Sequence, residues 1–359
     1  MRLVNQTAVP ATVTTSDFEG STRRIGLLTA KATFHFDEQG RVDLETQEPF
    51  SLLAQDEKTP LGDLPADLQP RADASLEVIL LGHAHAPRKR PVSALTVALT
   101  VGQVRRELLV FGDRSWAPNR KIVSPPAPFT KMPLSYSRAF GGTVPINLDQ
   151  ESVFDLSDTC NKHGLGFDAE RMARELGDLL RAPRGYPSLP AGYVRHLPNL
   201  EDPRAPIARW EDAPLPMCWA TVPIDVPLWA ARQARENPNP PSPPTSAEIK
   251  REIPSVANYR AHPDWVMPLP LTAPRLRLEN LLAANPVLEI SVPDFGIVAD
   301  YTINGRIGRR SLMPHTLVLL PDQWRFYVVY RLPFNFQFQT GDEREFRLGM
   351  EPKWFSGSA

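Results

Sequence analysis

The residues of this chain with the means to do chemistry are its seven histidines, its two cysteines and a few adjacent carboxylates. His83 and His85, in GHAHAP, stand at i and i+2, so on a strand both rings leave one side, as paired metal ligands do. No spacing places a third ligand beside them, and packing or turn roles are the expectation. His163, in NKHGLGF, occupies a glycine-rich turn where a general base could stand, but no nucleophile is spaced next to it. Cys160 and Cys218 are isolated thiols without a CxxC pair; each is expected buried and inert, with neither a disulfide framework nor a zinc site. The pairs Glu201-Asp202 and Glu211-Asp212 lie beside proline and read as solvated loops. Glycosidase carboxylates can be distant in sequence, so these pairs neither support nor exclude hydrolysis. Gly164 and Gly166 make a short GxG, well below a dinucleotide fingerprint. The nucleophile elbow, HExxH and the phosphate-binding loop do not occur. The expectation is a non-enzyme without metal or cofactor; a β-rich hydrolase, carbohydrate-active or other, is the alternative.

The elements that must position these groups are mostly strands. RIGLLTAKATFHF (24–36) puts Leu28, Ala30, Ala32, Phe34 and Phe36 on one face, the period of a half-buried strand. The turn Asp37-Glu38-Gln39-Gly40 leads into a hairpin partner, RVDLETQEPF. SLEVILLGHAHAP from Ser75 is a more continuous apolar strand, and SALTVALTVGQVRRELLVFG from Ser93 reads as two strands joined across Val101-Gly102-Gln103. Strands return after Leu276, where Asn304-Gly305 marks a tight hairpin. DAERMARELGDLLR (168–181) is the one full helix, with Asp168 at its start and Met172, Leu176, Leu179 and Leu180 sharing a face. A short second helix is expected over Leu228–Glu236, and NPNPPSPPTS (237–246) reads as a stiff exposed linker.

The fold class that results is mainly β, antiparallel and sandwich-like, with long proline-rich loops and one or two short helices. A single domain is expected over 1–359, with a β-rich part at 1–145, a proline-rich, partly helical middle at 146–270 and a β-rich part at 271–359. Proline, at 39 residues, is about twice the usual share of roughly 5%, which fits a loop-rich protein. A net charge of −1 does not favour nucleic acid or an anionic membrane as partner. Arg88, Lys89 and Arg90 read as a solvated loop. An N-terminus without an apolar run after Arg2, and no long apolar window, point to the cytoplasm.

The stretch from Phe111 to Gly142 has neither helix nor strand periodicity. Pro118, Pro125, Pro126, Pro128 and Pro133 stiffen it, while its aromatics argue for order. Arg114, Trp116, Tyr136, Arg138, Phe140 and Trp210, with Trp229 further on, have the composition of a binding hot spot, and the alternative is that they pin the loop to a sheet. Asp113 and Arg114 are candidates for a local pair, Asn199 for an Asx turn, and Gly141 and Gly142 for positive φ.

GHAHAP, VFGDRSW (110–116), PPAPFTKMPLSYSRAFGG (125–142), NKHGLGF (161–167) and LPNLEDP (197–203) occur here in this order. Together they resemble the bacterial family of type VI secretion effector adaptors, long catalogued as a domain of unknown function beside toxin genes. Its PF-x-x-MPL-x-(Y/W)-x-RAFGG core is matched from Pro128 to Gly142 without a gap, and the resemblance covers about Leu27 to Arg331, departing over 214–260. It implies a frame carried by Asp113, Pro128, Phe129, Met132, Pro133, Leu134, Gly141, Gly142, Asn161, Gly164, Gly166, Pro198, Asn199 and Glu201. It also implies an adaptor or chaperone that holds a cognate effector toxin, often with a PAAR or PAAR-like domain, and helps mount it on the VgrG spike. A structural component of the secretion apparatus is the further alternative.

Overall fold

A computed structural model describes residues 1–17, 23–71, 73–117, 120–147, 153–180, 187–228, 231–232, 259–269, 275–292, 295–337 and 343–351. Strands are numbered below in chain order.

β3 (Arg23–Phe36) and β21 (Arg325–Gln337) form the spine of the largest sheet, paired antiparallel along their whole length from Arg325↔His35 to Gln337↔Arg23. β2 (Ala11–Asp17) and β4 (Val42–Leu44) pair with the other side of β3. On the side of β21 follow β20 (Met313–Leu320), β5 (Ser75–Leu80) and β15 (Val266–Pro268). β5 runs parallel to β20, an exception to the antiparallel expectation that joins chain segments more than two hundred residues apart. A second sheet has the order β14 (Leu200–Glu201), β8 (Val104–Phe111), β7 (Ala94–Val101), β16 (Arg275–Glu279), β17 (Val287–Ser291). A third has β1 (Arg2–Asn5), β22 (Arg344–Glu351), β18 (Gly296–Ile303) and β19 (Arg306–Ser311). Three short pairs complete the description: β6 (His83–His85) with β9 (Lys131–Pro133), β10 (Phe140–Gly141) with β13 (Leu165–Gly166), and β11 (Thr143–Asn147) with β12 (Val153–Ser157). The fold is thus mainly β, and strands from the two ends of the chain share its sheets.

The local signals act as expected. Asn304 and Gly305 both adopt positive φ, 50° and 72°, and turn β18 into β19. Gly102, at φ 60°, does the same between β7 and β8. The helix α1 (Ala169–Leu180) is capped by Asp168, whose Oδ1 accepts from the Arg171 N–H at 3.1 Å. Of the expected stripe, Met172 and Leu176 are half-buried and the side chains of Leu179 and Leu180 lie outside the described residues; Ala169, Ala173 and Gly177 are buried. Leu228, Ala231 and Arg232 are helical, whereas Trp229 and the linker 237–246 lie outside the described residues.

β3 requires a larger correction. Leu28, Ala30, Ala32, Phe34 and Phe36 do face the core, but Thr29, Lys31 and Thr33 on the opposite face are buried as well. The segment after β4 covers them. Lys31 Nζ lies 2.6 Å from Asp67 Oδ2 and donates to the Ser51 carbonyl at 2.9 Å; Thr33 Oγ1 accepts from the Phe50 N–H. Arg331, one strand away, donates to the Asp67 carbonyl and to Thr316 Oγ1, and Thr316 in turn donates to Glu77, which is paired with Arg71. A buried charge persists only with a partner, and each charge of this layer has one, although Asp67 Oδ1 and Thr29 Oγ1 make no hydrogen bond. The proline-rich middle also enters the core: Trp219 and Trp265 are fully buried and meet edge to face at 5.7 Å.

Candidate functional site

The two histidines singled out by spacing do share a side of β6, and a third group meets them from the far end of the chain. His83 Nδ1 lies 2.6 Å from Asp322 Oδ2, and His85 Nε2 lies 2.8 Å from Asp322 Oδ1. Burial would raise the Asp322 pKa, but the bonds from both imidazoles, with the charges of His83 and Lys131, hold it well below the usual carboxylate range. Each ring closes on a different oxygen of one carboxylate, so the three form a clasp between β6 and the turn joining β20 to β21. Among the described residues no group of three or more His, Cys, Asp or Glu is arranged to hold a metal.

The other candidates resolve differently. His163 is exposed, with Nε2 3.2 Å from Asp225 Oδ2, and Lys162 Nζ is 2.7 Å from the same oxygen. Cys218 is buried as expected, and burial pushes its thiol up to about 12. Cys160 departs from expectation: it is only half-buried, its N–H donating to Asp158 Oδ1. Glu201 is no solvated loop acid. It is 3% exposed, paired with Arg114, and accepts from the Ile207 N–H at 3.1 Å. Burial pushes Glu201 up and Arg114 down, while their mutual attraction opposes both shifts. Asp212 accepts from the backbone N–H groups of Ala208 and Arg209, pinning its own turn.

The segments of the PF-x-x-MPL-x-x-x-RAFGG pattern and their two companions interlock. Asn161 is completely buried; its Nδ2 donates to the carbonyls of Tyr136 at 2.8 Å and Phe140 at 3.0 Å, and its Oδ1 accepts from the His163 N–H at 3.2 Å. The Asn161 carbonyl accepts from the Gly142 N–H at 2.7 Å. A Cβ at Gly141, where φ is 137°, would stand 2.0 Å from that same carbonyl oxygen. Gly164 packs against Ala139 and Asn161, and Gly166 against Pro198, each too close for a side chain. The LPNLEDP segment docks through Asn199, which is buried; it is a tie between segments and not the local Asx turn its position suggests. Its Nδ2 donates to the Phe111 carbonyl at 3.1 Å and to Asp113 Oδ1 at 3.0 Å, and its Oδ1 accepts from Arg138 at 3.1 Å. Asp113 accordingly pairs with Arg138 at 3.3 Å, and Arg114 with Glu201, in place of an Asp113–Arg114 pair. Met132 and Leu134 are buried, the β6–β9 ladder sets Pro133 opposite His83, and Phe129 bridges to Val92; Pro128 is exposed.

The aromatic set is engaged within the same frame. Trp116, Tyr136 and Phe140 are buried, and Trp116 meets Trp210 edge on at 5.8 Å. Arg195 and Arg120 both lie over the Trp210 ring, 4.7 Å and 5.1 Å from its centroid, and Arg114 lies 3.7 Å over the Phe111 ring. Arg138 and Trp210 remain partly open to solvent. Trp229 lies outside the described residues.

Spacing alone missed Asp322, Arg71, Glu77, Asp67 and Arg331, because their partners stand on other strands. Glu77 and Arg331 carry one local signal, a charged residue at a strand position between apolar neighbours, whereas Asp322, Asp67 and Arg71 lie outside strands and carry none. His315 and His262, both buried, carried no such signal; burial depresses each to about 4.

This mainly β architecture, with the Asn161 and Asn199 ties at its centre, is the setting for the one relationship found. Residues 21–331 match a family model described as an uncharacterized protein conserved in bacteria (DUF2169), and the chain belongs to that family. The matched span includes the 214–260 stretch that departs from the pattern. No curated protein and no solved structure matches the chain. Among the described residues no helix is long and apolar enough to cross a membrane.

Proposed function

We propose that this chain is an adaptor and chaperone of type VI secretion: it binds a cognate effector toxin, one with a PAAR or PAAR-like domain, and promotes its loading onto the VgrG spike. The observation that carries the reading is the interlocked frame. Side-chain bonds from Asn161 and Asn199 hold segments 111–113 and 136–140 of the irregular, proline-rich stretch in one arrangement. A surface already ordered loses less entropy on binding, which suits a protein that must hold a partner and later release it. The order of the five motif segments, resembling that of the effector adaptors, supplies the identity of the partner. The adaptor acts in the cytoplasm and covers toxin surface until the spike competes for it. Specificity among toxins falls outside the shared motif, and 214–260 is the candidate stretch.

The test is affinity capture of the chain at native expression in a cell that carries the neighbouring toxin gene. Recovery of the toxin, with a VgrG or PAAR protein, is the expected result, and the tagged chain should stay in the cell while the toxin is exported. Capture of neither toxin nor spike protein would sink the proposal. Deletion of 237–246 with toxin capture unchanged would remove that stretch as a contact.

A further inference from the structure

β19 ends the third sheet: among the described residues it has β18 on one side and no strand on the other. Its sequence, RIGRRS, holds three arginines and no acid, and every residue except Gly308 is exposed. Ile307, near the middle of the strand, is 85% exposed. The register sorts these side chains onto two faces. Ile307 and Arg309 lie with Thr302 and Asp300; Arg306 and Arg310 lie with Ile303 and Ala299. Arg309 faces Asp300 at 3.7 Å. The Tyr301 ring lies across Gly308, where a Cβ would come within 2.6 Å of its atoms, so a side chain at that position would displace the ring.

A lone edge strand presents a row of backbone donors and acceptors that a further strand can use. A second copy of this chain is a poor occupant. Antiparallel pairing centred on Gly308 would set Arg306 of each copy opposite Arg310 of the other, and like charges directly opposite are destabilising. Nucleic acid is favoured by the arginines but not by the rest: no aromatic ring of β19 offers a stacking platform. A peptide backbone with acids matches both the ladder and the charge.

We infer that β19 is a docking strand for an acidic, extended segment of a protein partner, which adds antiparallel to the third sheet. The register dictates its pattern. Read along the incoming strand, an acid falls opposite Arg310, two unconstrained residues follow, an apolar residue falls opposite Ile307, and a second acid falls opposite Arg306. The inference is independent of the adaptor reading, since any protein with such a segment would serve, and toxin capture is a separate assay.

The probe is a fluorescent synthetic peptide containing Glu-Thr-Thr-Val-Glu between threonine flanks, titrated into the full chain and read by anisotropy. A control peptide carries lysine in place of both glutamates. The glutamate peptide should bind saturably, the lysine peptide about tenfold more weakly or worse, and added salt should narrow the gap. The double variant Arg306→Glu/Arg310→Glu should reverse the preference, which a merely misfolded variant would not do. The variant Ile307→Thr should weaken both peptides without reversing them. Absence of saturable binding, equal binding of the two peptides, or a preference that charge reversal leaves in place would overturn the inference. Displacement of the peptide by an oligothymidylate would overturn it in favour of a nucleic-acid site.

Discussion

Replacing Asn161 by alanine removes one buried amide that three backbone groups depend on. Its Nδ2 serves the Tyr136 and Phe140 carbonyls, and its Oδ1 serves the His163 N–H. A hydrogen bond contributes about 0.5–1.5 kcal/mol net, and a buried group left unpaired costs about 1–3 kcal/mol. Water can enter near the exposed His163 but not at the buried Tyr136 side, so the expected loss is about 3 kcal/mol. With an unfolding entropy of roughly 2.1 cal/mol/K per residue over 359 residues, that lowers Tm by about 4 °C. The sharper variant is Asn161→Asp, which keeps the shape and the acceptor but turns an oxygen toward the two carbonyls. It should be at least as damaging as alanine at neutral pH. The buried carboxyl would have its pKa raised in the folded state, so its penalty is present above that raised value and shrinks as pH falls and it protonates. Differential scanning calorimetry of the three proteins between about pH 4 and 8 reads both effects. Wild-type stability in Asn161→Asp, or a Tm gap that does not change with pH, would refute the account of the frame.

Three other perturbations follow from the same geometry. Gly141→Ala, which forces a Cβ to 2.0 Å from the Asn161 carbonyl oxygen at a φ of 137°, should cost about 3 kcal/mol or more, read as loss of soluble protein or a lowered denaturation midpoint. Lys31→Met alone should destabilise by about 3–5 kcal/mol by stranding the Asp67 carboxylate; Lys31→Met with Asp67→Asn should recover part of this in urea melts, since the amide oxygen can still accept from the Leu53 N–H. Asp322 has a folded pKa below its unfolded one, so its contribution is present above about pH 4, the unfolded range, and is lost as pH falls through the folded value. Asp322→Asn should therefore lower stability by about 2 kcal/mol at pH 7 and flatten its pH dependence in acid, checked by urea melts at several pH values.

Much of the secondary structure was legible because its causes are local. The period of two in β3, β7 and β8, the Asn304-Gly305 turn and the Asp168 cap each depend on residues within a few positions of one another. The candidate site was legible only as residue types. His83 and His85 were seen to share a side, but their partner Asp322 lies 239 residues from His83, and no local pattern points to it. Glu201 was misread because proline and a neighbouring acid mark a loop, while its burial depends on Arg114, 87 residues away. Arg114 and Asp113 are adjacent, yet they point to different partners because Asn199 comes between the segments that hold them.

From the sequence by itself came the mainly β character, the individual hairpins, the one full helix and the family to which the chain belongs. Backbone preference, alternation and turn chemistry are properties of short stretches, and they survive any change in what those stretches pack against. Only the tertiary structure decided which strands share a sheet, that the polar face of β3 is buried over a Lys31–Asp67 pair, that Asn161 and Asn199 tie three segments together, and that β19, among the described residues, has a strand on one side alone. Each of these is a pairing between distant residues. A side chain states what it can bond to, but not which partner the folded chain will bring within reach.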